Sequence, residues 1–552
     1  VAAWLLIFFT VLLFAWAGWL AMSRAVPLKM LPFDNKNEFQ IVIDMPEGTT
    51  LEDTDAVTRA LGDYLRTVPE VTDFETYVGT ASAMDFNGMV RHYYLREGPN
   101  VADIRINLIE KDDRAHQSHD MVLRLRDDLN GIAEKYEANI KLVEVPPGPP
   151  VIATVTAEVY GKPQHSYNEL IDAAKVVRAR LEEEALVVEV DDSVEADQIN
   201  YVFVTDKEKA ALNGISTQDI AQTLQLALQG MNGGILHIPD EVNPLEIEVH
   251  LPREERSGLE DLQRIYMKNR QGNMVPLAEL GSFEVTLEDK TIYHKNLERV
   301  VYVFAEMAGR APAEAILDVW ADRIHDDAGT SGVLEAQEVR PVDERTYFNM
   351  GAGIPWRLSD AFQVKWTGEG EWEITVKVFR DLGIAFGVAC LGIYMLLIYQ
   401  TGSYFMPLIL MISIPLTMIG IMPGFWLLNE LTTESIQGYP NPVFFTATSM
   451  IGMIALGGIV LRNATVLIDF VRNALENGES LRESILQSGA VRIRPIVLTA
   501  LTTALGAWPI TLDPVFSGLA WALIFGLFAS TVFTLLVVPV AYYAFYRKRI
   551  PS

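Results

Sequence analysis

The sequence predicts two parts in one chain. One is an α-helical membrane domain of six spans; the other is a water-facing α+β block of two ferredoxin-like βαββαβ units with an inserted subdomain. Three observations predict this. Half of the 552 residues are hydrophobic and the mean hydropathy is +0.17, yet the formal net charge is −28. That charge is not spread evenly: from Gly383 onward lie 8 of the 44 Lys+Arg and 7 of the 72 Asp+Glu, leaving 36 and 65 in residues 1–382, a net of −29. The second observation is six apolar runs, at about 1–22, 383–400, 405–428, 443–470, 496–512 and 517–545, of the length that crosses about 30 Å of hydrocarbon. The third is a repeated strand–helix order within the acidic block.

The first run, Val1–Met22, carries no charge and ends before Arg24. It lacks the basic leader and cleavage site of a signal peptide, so it reads as a membrane span. The chain begins without methionine and is expected to be cut from something longer. In the acidic block, Glu38–Ile43 alternates like a strand, and Thr50–Val68 is an amphipathic helix with Thr49 or Thr50 as its cap. Strands near Thr72–Val78 and Ala102–Ile109, a helix near Ser118–Tyr136 and a strand at Ile140–Val145 complete a βαββαβ order. Pro146-Pro147-Gly148-Pro149-Pro150 is a stiff connector that marks a boundary.

The second unit repeats the order with strands Ile152–Tyr160 and Leu186–Asp191 around a helix at Ser166–Glu184. It resumes with a strand at Leu297–Glu306, a helix near Ala313–His325 and a strand near Phe362–Thr367. Residues 197–290 between the halves carry their own strands and a helix at Thr217–Gln229, enough for a separate subdomain.

Basic residues orient the spans. The loop 471–494 holds Arg472, Arg482, Arg492 and Arg494, and the tail ends Arg547-Lys548-Arg549, whereas loops 429–442 and 513–516 hold Glu430, Glu434 and Asp513 with no Lys or Arg. Both termini are expected on the cytoplasmic side and the block 24–382 outside. Pro407, Pro415 and Pro423 are expected to kink the third span. Gly452, Ala455, Gly457 and Gly458 are expected to give the fourth a close-approach surface.

Several classes are excluded. A single cysteine, Cys390, allows no disulfide framework or multi-cysteine metal cluster. The acidic balance argues against nucleic acid as a partner. No Walker A motif, nucleophile elbow or zinc motif is present, so nucleotide hydrolysis and acyl transfer have no support and no cofactor is expected. His116 and His119 with Asp112, Asp113 and Asp120 imitate a metal site, but they open an amphipathic helix and read as a solvated face. No metal site is expected.

Arg462 is the only charged residue well inside a span. On a helix Phe444–Phe470, about 40 Å long, it lies roughly 7–8 Å from the middle. An arginine at such depth costs at least about 2.5–3.5 kcal/mol to insert. It either snorkels to the headgroups or turns inward toward a carboxylate. No acid in this chain lies at comparable depth: Asp469, seven residues on, is about 10 Å away along the axis, with Arg472 at i+3 as its expected partner. Arg462 therefore points to a missing acidic group. Asn463 lies beside it, and Thr499, Thr502 and Thr503 form a polar stripe on the next span; such threonines also commonly bond back to their own helix. In the outer block Met84 and Met89 flank Asp85-Phe86-Asn87-Gly88. Thioethers suit Cu(I), and more often line adaptable apolar pockets.

Spans flanking a large outer block, Arg462 on the fourth span and Arg494-Pro495 opening the fifth together resemble the resistance–nodulation–division (RND) efflux pumps, in particular the C-terminal half of their inner-membrane permease subunit. Gly457-Gly458-Ile459-Val460-Leu461-Arg462-Asn463-Ala464-Thr465-Val466-Leu467-Ile468-Asp469-Phe470 resembles the family's relay helix, and Arg492-Ile493-Arg494-Pro495-Ile496-Val497-Leu498-Thr499 the segment entering the next span. Asp206-Lys207-Glu208-Lys209-Ala210, Gly214-Ile215-Ser216 and Asp219-Ile220 are similar to the family's docking-subdomain signature.

The resemblance implies a trimeric, proton-driven antiporter rather than an enzyme, set in the bacterial inner membrane with a large periplasmic domain. Its parts would be a first span (1–23), porter subdomains at 24–145 and at 151–196 with 291–370, a docking insert at 197–290 and five further spans within 383–546. Arg462 would hold the relay's basic position, with Asn463, Thr499 and Asp469 nearby, facing an aspartate pair on the N-terminal half of the pump. The family more commonly has lysine there. Arginine stays charged at any physiological pH, so protons would ride on the absent aspartates with Arg462 as a fixed counter-ion. The loop Gly79–Val90, with Met84, Phe86 and Met89, would line the substrate path. Thr330–Asp360 and Asn429–Pro442 look like insertions. The implied partners are the N-terminal half, two further copies, a periplasmic adaptor, an outer-membrane channel and the lipid bilayer. Three functional readings follow: an exporter of hydrophobic or amphiphilic compounds, an exporter of Cu(I) or Ag(I), and a membrane-anchored binding or assembly module without transport of its own.

Overall fold

The computed structural model describes residues 2–325, 331–336 and 338–547. Thr330 and the tail residues Lys548 and Arg549 lie outside the described residues.

Among the described residues, six apolar helices are long enough to cross a membrane: Trp4–Met22, Glu371–Thr401, Met406–Thr432, Ala447–Glu476, Leu481–Leu512 and Ser517–Tyr546. Two boundaries differ from expectation. The second helix starts at Glu371, and its first turns carry Glu371, Glu373, Lys377, Arg380 and Asp381; hydropathy sees only the apolar part of a helix that continues beyond it. The expected basic loop 471–494 is mostly helix. The fourth span runs to Glu476 and the fifth begins at Leu481, capped by Ser480, so Arg472, Arg482, Arg492 and Arg494 stand on helices. The third span is broken as its prolines require: helix Met406–Met411, a 3₁₀ turn at Pro415–Thr417, then helix Met418–Thr432 with Pro423 inside.

After the first span comes an α+β unit. Strands β1 (Glu38–Asp44), β2 (Val71–Thr80), β3 (Glu97–Leu108) and β4 (Asn139–Val143) form one sheet in the order β2-β3-β1-β4 with antiparallel neighbours. Helices Leu51–Leu65 and Ser118–Ala133 connect them. Thr50 caps the first by accepting from the Asp53 N–H. Phe39, Ile41, Ile43, Leu61, Leu65, Ile104, Ile106 and Met121 make the core.

A second unit repeats the pattern with β5 (Val155–Gly161), β6 (Val187–Asp192), β7 (Glu298–Met307) and β8 (Phe362–Lys365). Here β7 pairs with β5 and β6, and β5 with β8, which gives the same order. Its helices are Tyr167–Glu182, with a Ser166/Glu169 capping box, and Pro312–Ala321. The latter ends four residues before the expected His325, because Arg323–Ile324 turns into a small sheet with Trp356–Arg357 and Gly332–Val333. Trp356 is buried there and donates its indole N–H to the Val319 carbonyl at 2.7 Å.

Residues 195–291 form a separate compact unit. Ala210, Ile215, Ile220, Met267, Val275, Leu277 and Leu280 are its core, and Ile199–Thr205 pairs with Gly281–Leu287. A hairpin of Met231–Leu236 and Leu245–Val249 is exposed along nearly its whole length.

Candidate functional site

The fourth span, Ala447–Glu476, opens with a capping box between Thr446 and Ser449. One face is buried through Gly452, Leu456, Val460, Asn463, Ala464 and Leu467. A Cβ at Gly452 would stand 2.7 Å from the Leu519 carbonyl oxygen of the sixth span, so only glycine allows that approach. Ala455 and Gly458, expected on the same contact surface, are instead exposed. Ile451, Ala455, Gly458, Arg462 and Val466 recur at helical spacing and form one exposed stripe.

Arg462 stands at the centre of this helix, with 15 helical residues before it and 14 after it. Among the described residues it makes no hydrogen bond and no ion pair. Asp469 is half-buried and does not pair with Arg472, contrary to expectation; an i,i+3 pair gains only about 0.2–0.5 kcal/mol, too little to fix two flexible side chains. Asn463 is buried beside Arg462, on the face toward the helix's own neighbours. The hydroxyls of Thr499, Thr502 and Thr503 all donate to carbonyls of their own helix: Thr499 to Ile496 at 2.9 Å, Thr502 to Leu498 at 3.0 Å and Thr503 to Thr499 at 2.8 Å. Arg492 of the fifth span sits over the Phe470 ring, 5.5 Å from its centroid. The arrangement is thus an arginine on an exposed helical stripe, with Asn463 on the buried face beside it and the hydroxyls of Thr499, Thr502 and Thr503 bonded to their own helix.

The entrance of this helix is tied to the segment leaving the first span. The Phe445 N–H donates to the Pro27 carbonyl at 2.9 Å, the Lys29 N–H to Phe445 at 3.2 Å and the Ala447 N–H to Met30 at 3.0 Å. Loop 429–442, which looked like an unassignable insertion, forms a small hairpin, Ser435–Ile436 with Tyr439–Pro440. It lies against the helix Ser118–Ala133: Tyr439 donates to Asp127 at 2.9 Å and Asn441 to Asp120 at 2.6 Å.

In the outer block, β2 extends to Thr80, and Phe86–Val90 is a short helix rather than open loop. Asp85 caps it, accepting from the Gly88 N–H at 2.6 Å and from Arg105 at 2.7 Å. This holds Met84, Phe86 and Met89 on the surface, at 64%, 63% and 43% exposure. His119 does not belong to a solvated face. It is buried, stacked on Phe33 at 3.4 Å between ring centroids, with Nδ1 2.8 Å from Glu144. Burial works to raise the Glu144 carboxyl, but the charge and hydrogen bond of His119 outweigh it and hold it below the usual range. The helix pattern concealed this, because Phe33 reaches His119 from 86 residues away in sequence.

Sequence reasoning also passed over a buried ionic network. Arg24 makes two hydrogen bonds to Asp318, at 2.9 and 2.8 Å. Arg310 and Arg345 both pair with Asp318 and Glu184, and Arg180 pairs with Glu184 and Asp322. Burial works to raise the Asp318 carboxyl; hydrogen bonds from Arg24 and the Gly351 N–H, with the charge of Arg310, overcome it and hold the group well below the usual carboxylate range. The one sequence signal was a basic residue directly after a span, which also reads as an ordinary span end.

A sequence profile described as the AcrB/AcrD/AcrF family matches residues 2–325 and 355–546. The chain belongs to this family of RND permeases. RND permeases are inner-membrane transporters, and the six apolar helices accord with that. Similar curated proteins include the swarming motility protein SwrC of Bacillus subtilis, 25% identical over 72% of this chain and 34% of that protein. The multidrug/solvent efflux pump membrane transporter MepB of Pseudomonas putida is 22% identical over 96% of this chain and 45% of its own length. The cobalt-zinc-cadmium resistance protein CzcA of Cupriavidus metallidurans is 26% identical over 62% and 29%. A crystal structure of a heavy metal efflux pump shares the fold, with a TM-score of 0.74 at 17% identity, over 99% of this chain and 50% of that one. The chain spans about half the length, or less, of the proteins it matches. The stretch 326–354, part of which forms the small sheet around Trp356, falls outside the family match.

Proposed function

We propose that the chain is one half of a proton-motive-force-driven RND exporter that moves hydrophobic or amphiphilic compounds out of the periplasm and inner membrane. The observation that carries this reading is Arg462: a permanent charge at the centre of a spanning helix, on an exposed stripe, with no acidic partner among the described residues. In a bilayer that position calls for a carboxylate from another helix. The other half of the pump supplies it, protons bind and leave that acid, and Arg462 is the fixed counter-ion. Thr499, Asn463 and Asp469 stand around the relay as polar lining. Thr499 takes part only if its hydroxyl leaves Ile496.

The two βαββαβ units serve as ferredoxin-like periplasmic porter subdomains (24–145, and 151–196 with 291–370) and residues 197–290 as the docking subdomain. The exposed apolar residues of the hairpin Met231–Val249 support a homotrimer whose protomers exchange contacts there, with a periplasmic adaptor and an outer-membrane channel as further partners. Met84, Phe86 and Met89 offer an exposed, adaptable apolar surface to substrate. In the complete pump, Arg462→Ala should abolish export while trimers persist, and Arg462→Lys should retain part of it; unchanged export in Arg462→Ala would overturn the relay role.

A second reading, export of Cu(I) or Ag(I), is favoured by the two exposed thioethers and by relatives whose names specify cations. Met84→Leu with Met89→Leu should then remove silver tolerance but spare organic export; unaffected silver tolerance would remove this reading.

A further inference from the structure

The turn Thr346–Asn349 holds a large apolar side chain outward. Phe348 is 70% exposed, yet its backbone is pinned. The Phe348 and Asn349 N–H groups donate to the Thr346 hydroxyl at 3.3 and 3.0 Å. Thr346 and Asn349 also exchange backbone hydrogen bonds at 3.3 and 3.2 Å. Arg340 fastens the base of the turn by donating to the Met350 carbonyl at 2.6 Å. Apolar side chains exposed singly are ordinary, but Phe348 continues a larger surface.

Its ring stacks on Trp19, 6.3 Å between centroids and 13° between planes, and the Tyr347 N–H donates to the Met22 carbonyl at 3.0 Å. Met22 is the last residue of the first span, and Trp19 lies about 4.5 Å before it along the axis. Trp19 ends an outward stripe of Leu5, Phe8, Leu12 and Trp16 at helical spacing. The turn thus extends the apolar face of the span at the depth where aromatic rings collect, between headgroups and acyl chains.

Charge around the turn gives no attraction to anionic headgroups. Arg24, over the Tyr347 ring, is bound to Asp318, and Arg340 is bound to backbone carbonyls. Arg345 is buried in the ionic network, which Glu314 completes as a fourth carboxylate, 3.7 Å from Arg310. Asp343 and Glu344 stand exposed. We propose that Thr346–Asn349 is an interfacial anchor: Phe348 enters the adjoining lipid leaflet beside Trp19, by apolar contact rather than headgroup charge. The turn lies in the stretch outside the family match. Arg345 and the Gly351 N–H both bond to Asp318, so the anchor fixes the height of the second α+β unit above the bilayer. This assignment rests on the first helix as a span and not on the role of Arg462.

The test places p-benzoylphenylalanine at position 348 of the complete transporter, in nanodiscs of phosphatidylcholine with and without phosphatidylglycerol. After irradiation, intact-protein mass spectrometry should find one attached phospholipid, in equal yield in the two nanodiscs. The same probe at Leu297 should give at least about tenfold less. Leu297 is exposed at one end of β7, whose length is about 33 Å. The other end leads to Gly309, against Pro440 in the loop between the third and fourth spans. Independently, Phe348→Ser should speed amide exchange at Tyr347 about tenfold in nanodiscs, and Phe348→Trp should leave it unchanged. Four results would each overturn the anchor: cross-linking to a protein chain instead of lipid, a lipid yield no higher at 348 than at 297, a yield that rises with phosphatidylglycerol, or unchanged exchange in Phe348→Ser.

Discussion

Asp318→Asn should open the network that joins the end of the first span to the outer block. Asp318 is fully buried and accepts from Arg24 at 2.9 and 2.8 Å, from the Gly351 N–H at 2.9 Å, from Arg345 at 3.2 Å and from Arg310. The amide keeps the shape but removes the charge, leaving four arginines against three carboxylates. Breaking a buried pair in this way costs about 3–5 kcal/mol. Because whole-protein unfolding of a multidomain membrane protein is not two-state, the measurement should be local: native-state amide exchange at Gly351 and at Ala352, whose N–H donates to Asp322 at 2.8 Å. Exchange there should accelerate by roughly two to four orders of magnitude. The sign with pH is also fixed. A carboxyl depressed in the folded state contributes its stability above the unfolded pKa, near 3.9, and loses it as pH falls through its lower folded value. The wild-type network should therefore hold at pH 5 and weaken only in stronger acid, and that acid limb should be absent in Asp318→Asn. Adding Arg24→Met restores neutrality and should recover part of the loss. Acceleration of less than about fivefold, which is near 1 kcal/mol, would refute the assignment of this network as a strong tie.

Three further outcomes are expected. Gly309 has φ +77° and lies directly against the Pro440 carbonyl, so Gly309→Ala meets both a conformational and a steric penalty, about 1–3 kcal/mol; faster proteolysis within 435–440 would show it, and unchanged cleavage would refute it. His119→Gln removes the charge and hydrogen bond that hold the buried Glu144 carboxyl below its usual range, so the part of the protection of the helix Ser118–Ala133 that the wild type loses as pH falls through that lowered pKa should shrink in the variant, and an unchanged acid limb would contradict the pairing. Gly458 has open space around it and shares the Arg462 stripe, so Gly458→Leu should leave this chain folded but disrupt assembly with the proposed second half of the pump. Gly452→Leu should already destabilise this chain alone, and equal effects of the two substitutions would argue against an uncovered stripe.

Much of the fold was legible because its signals are local. Apolar runs marked six helices, alternation marked β1, and Thr50 already stood as a candidate cap for the helix Leu51–Leu65. Boundaries were legible only where composition changes with structure: at Glu371 the helix continues while hydropathy stops, and at Leu481 a helix starts amid charge. At the candidate site, Arg462 stood out because charge is rare in a span. His119, Arg24 and Asp318 did not, since their environments depend on partners 86, 294 and 294 positions away respectively. Periodicity cannot report which distant segment covers a side chain. Thr499 was ambiguous for a different reason: a hydroxyl that bonds its own helix and one that serves a relay look alike in sequence.

The contacts also indicate how a change at Arg462 would be felt outside the membrane. Its helix is capped by Thr446, directly after Phe445. Phe445 and Ala447 are hydrogen-bonded to Pro27, Lys29 and Met30, and that segment leads on to β1 on one side and back to Arg24 on the other. Arg24 is held by Asp318 in the second α+β unit. The hairpin before Phe445 is held by Asp120 and Asp127 in the first. A shift of the fourth span along its axis therefore pulls on both outer units at once, through backbone hydrogen bonds on one path and buried charge on the other. Packed interiors resist gradual deformation and move between discrete arrangements, so an energetic bias at Arg462 of even a few kcal/mol has two short, stiff routes by which to select one arrangement of the outer block over another.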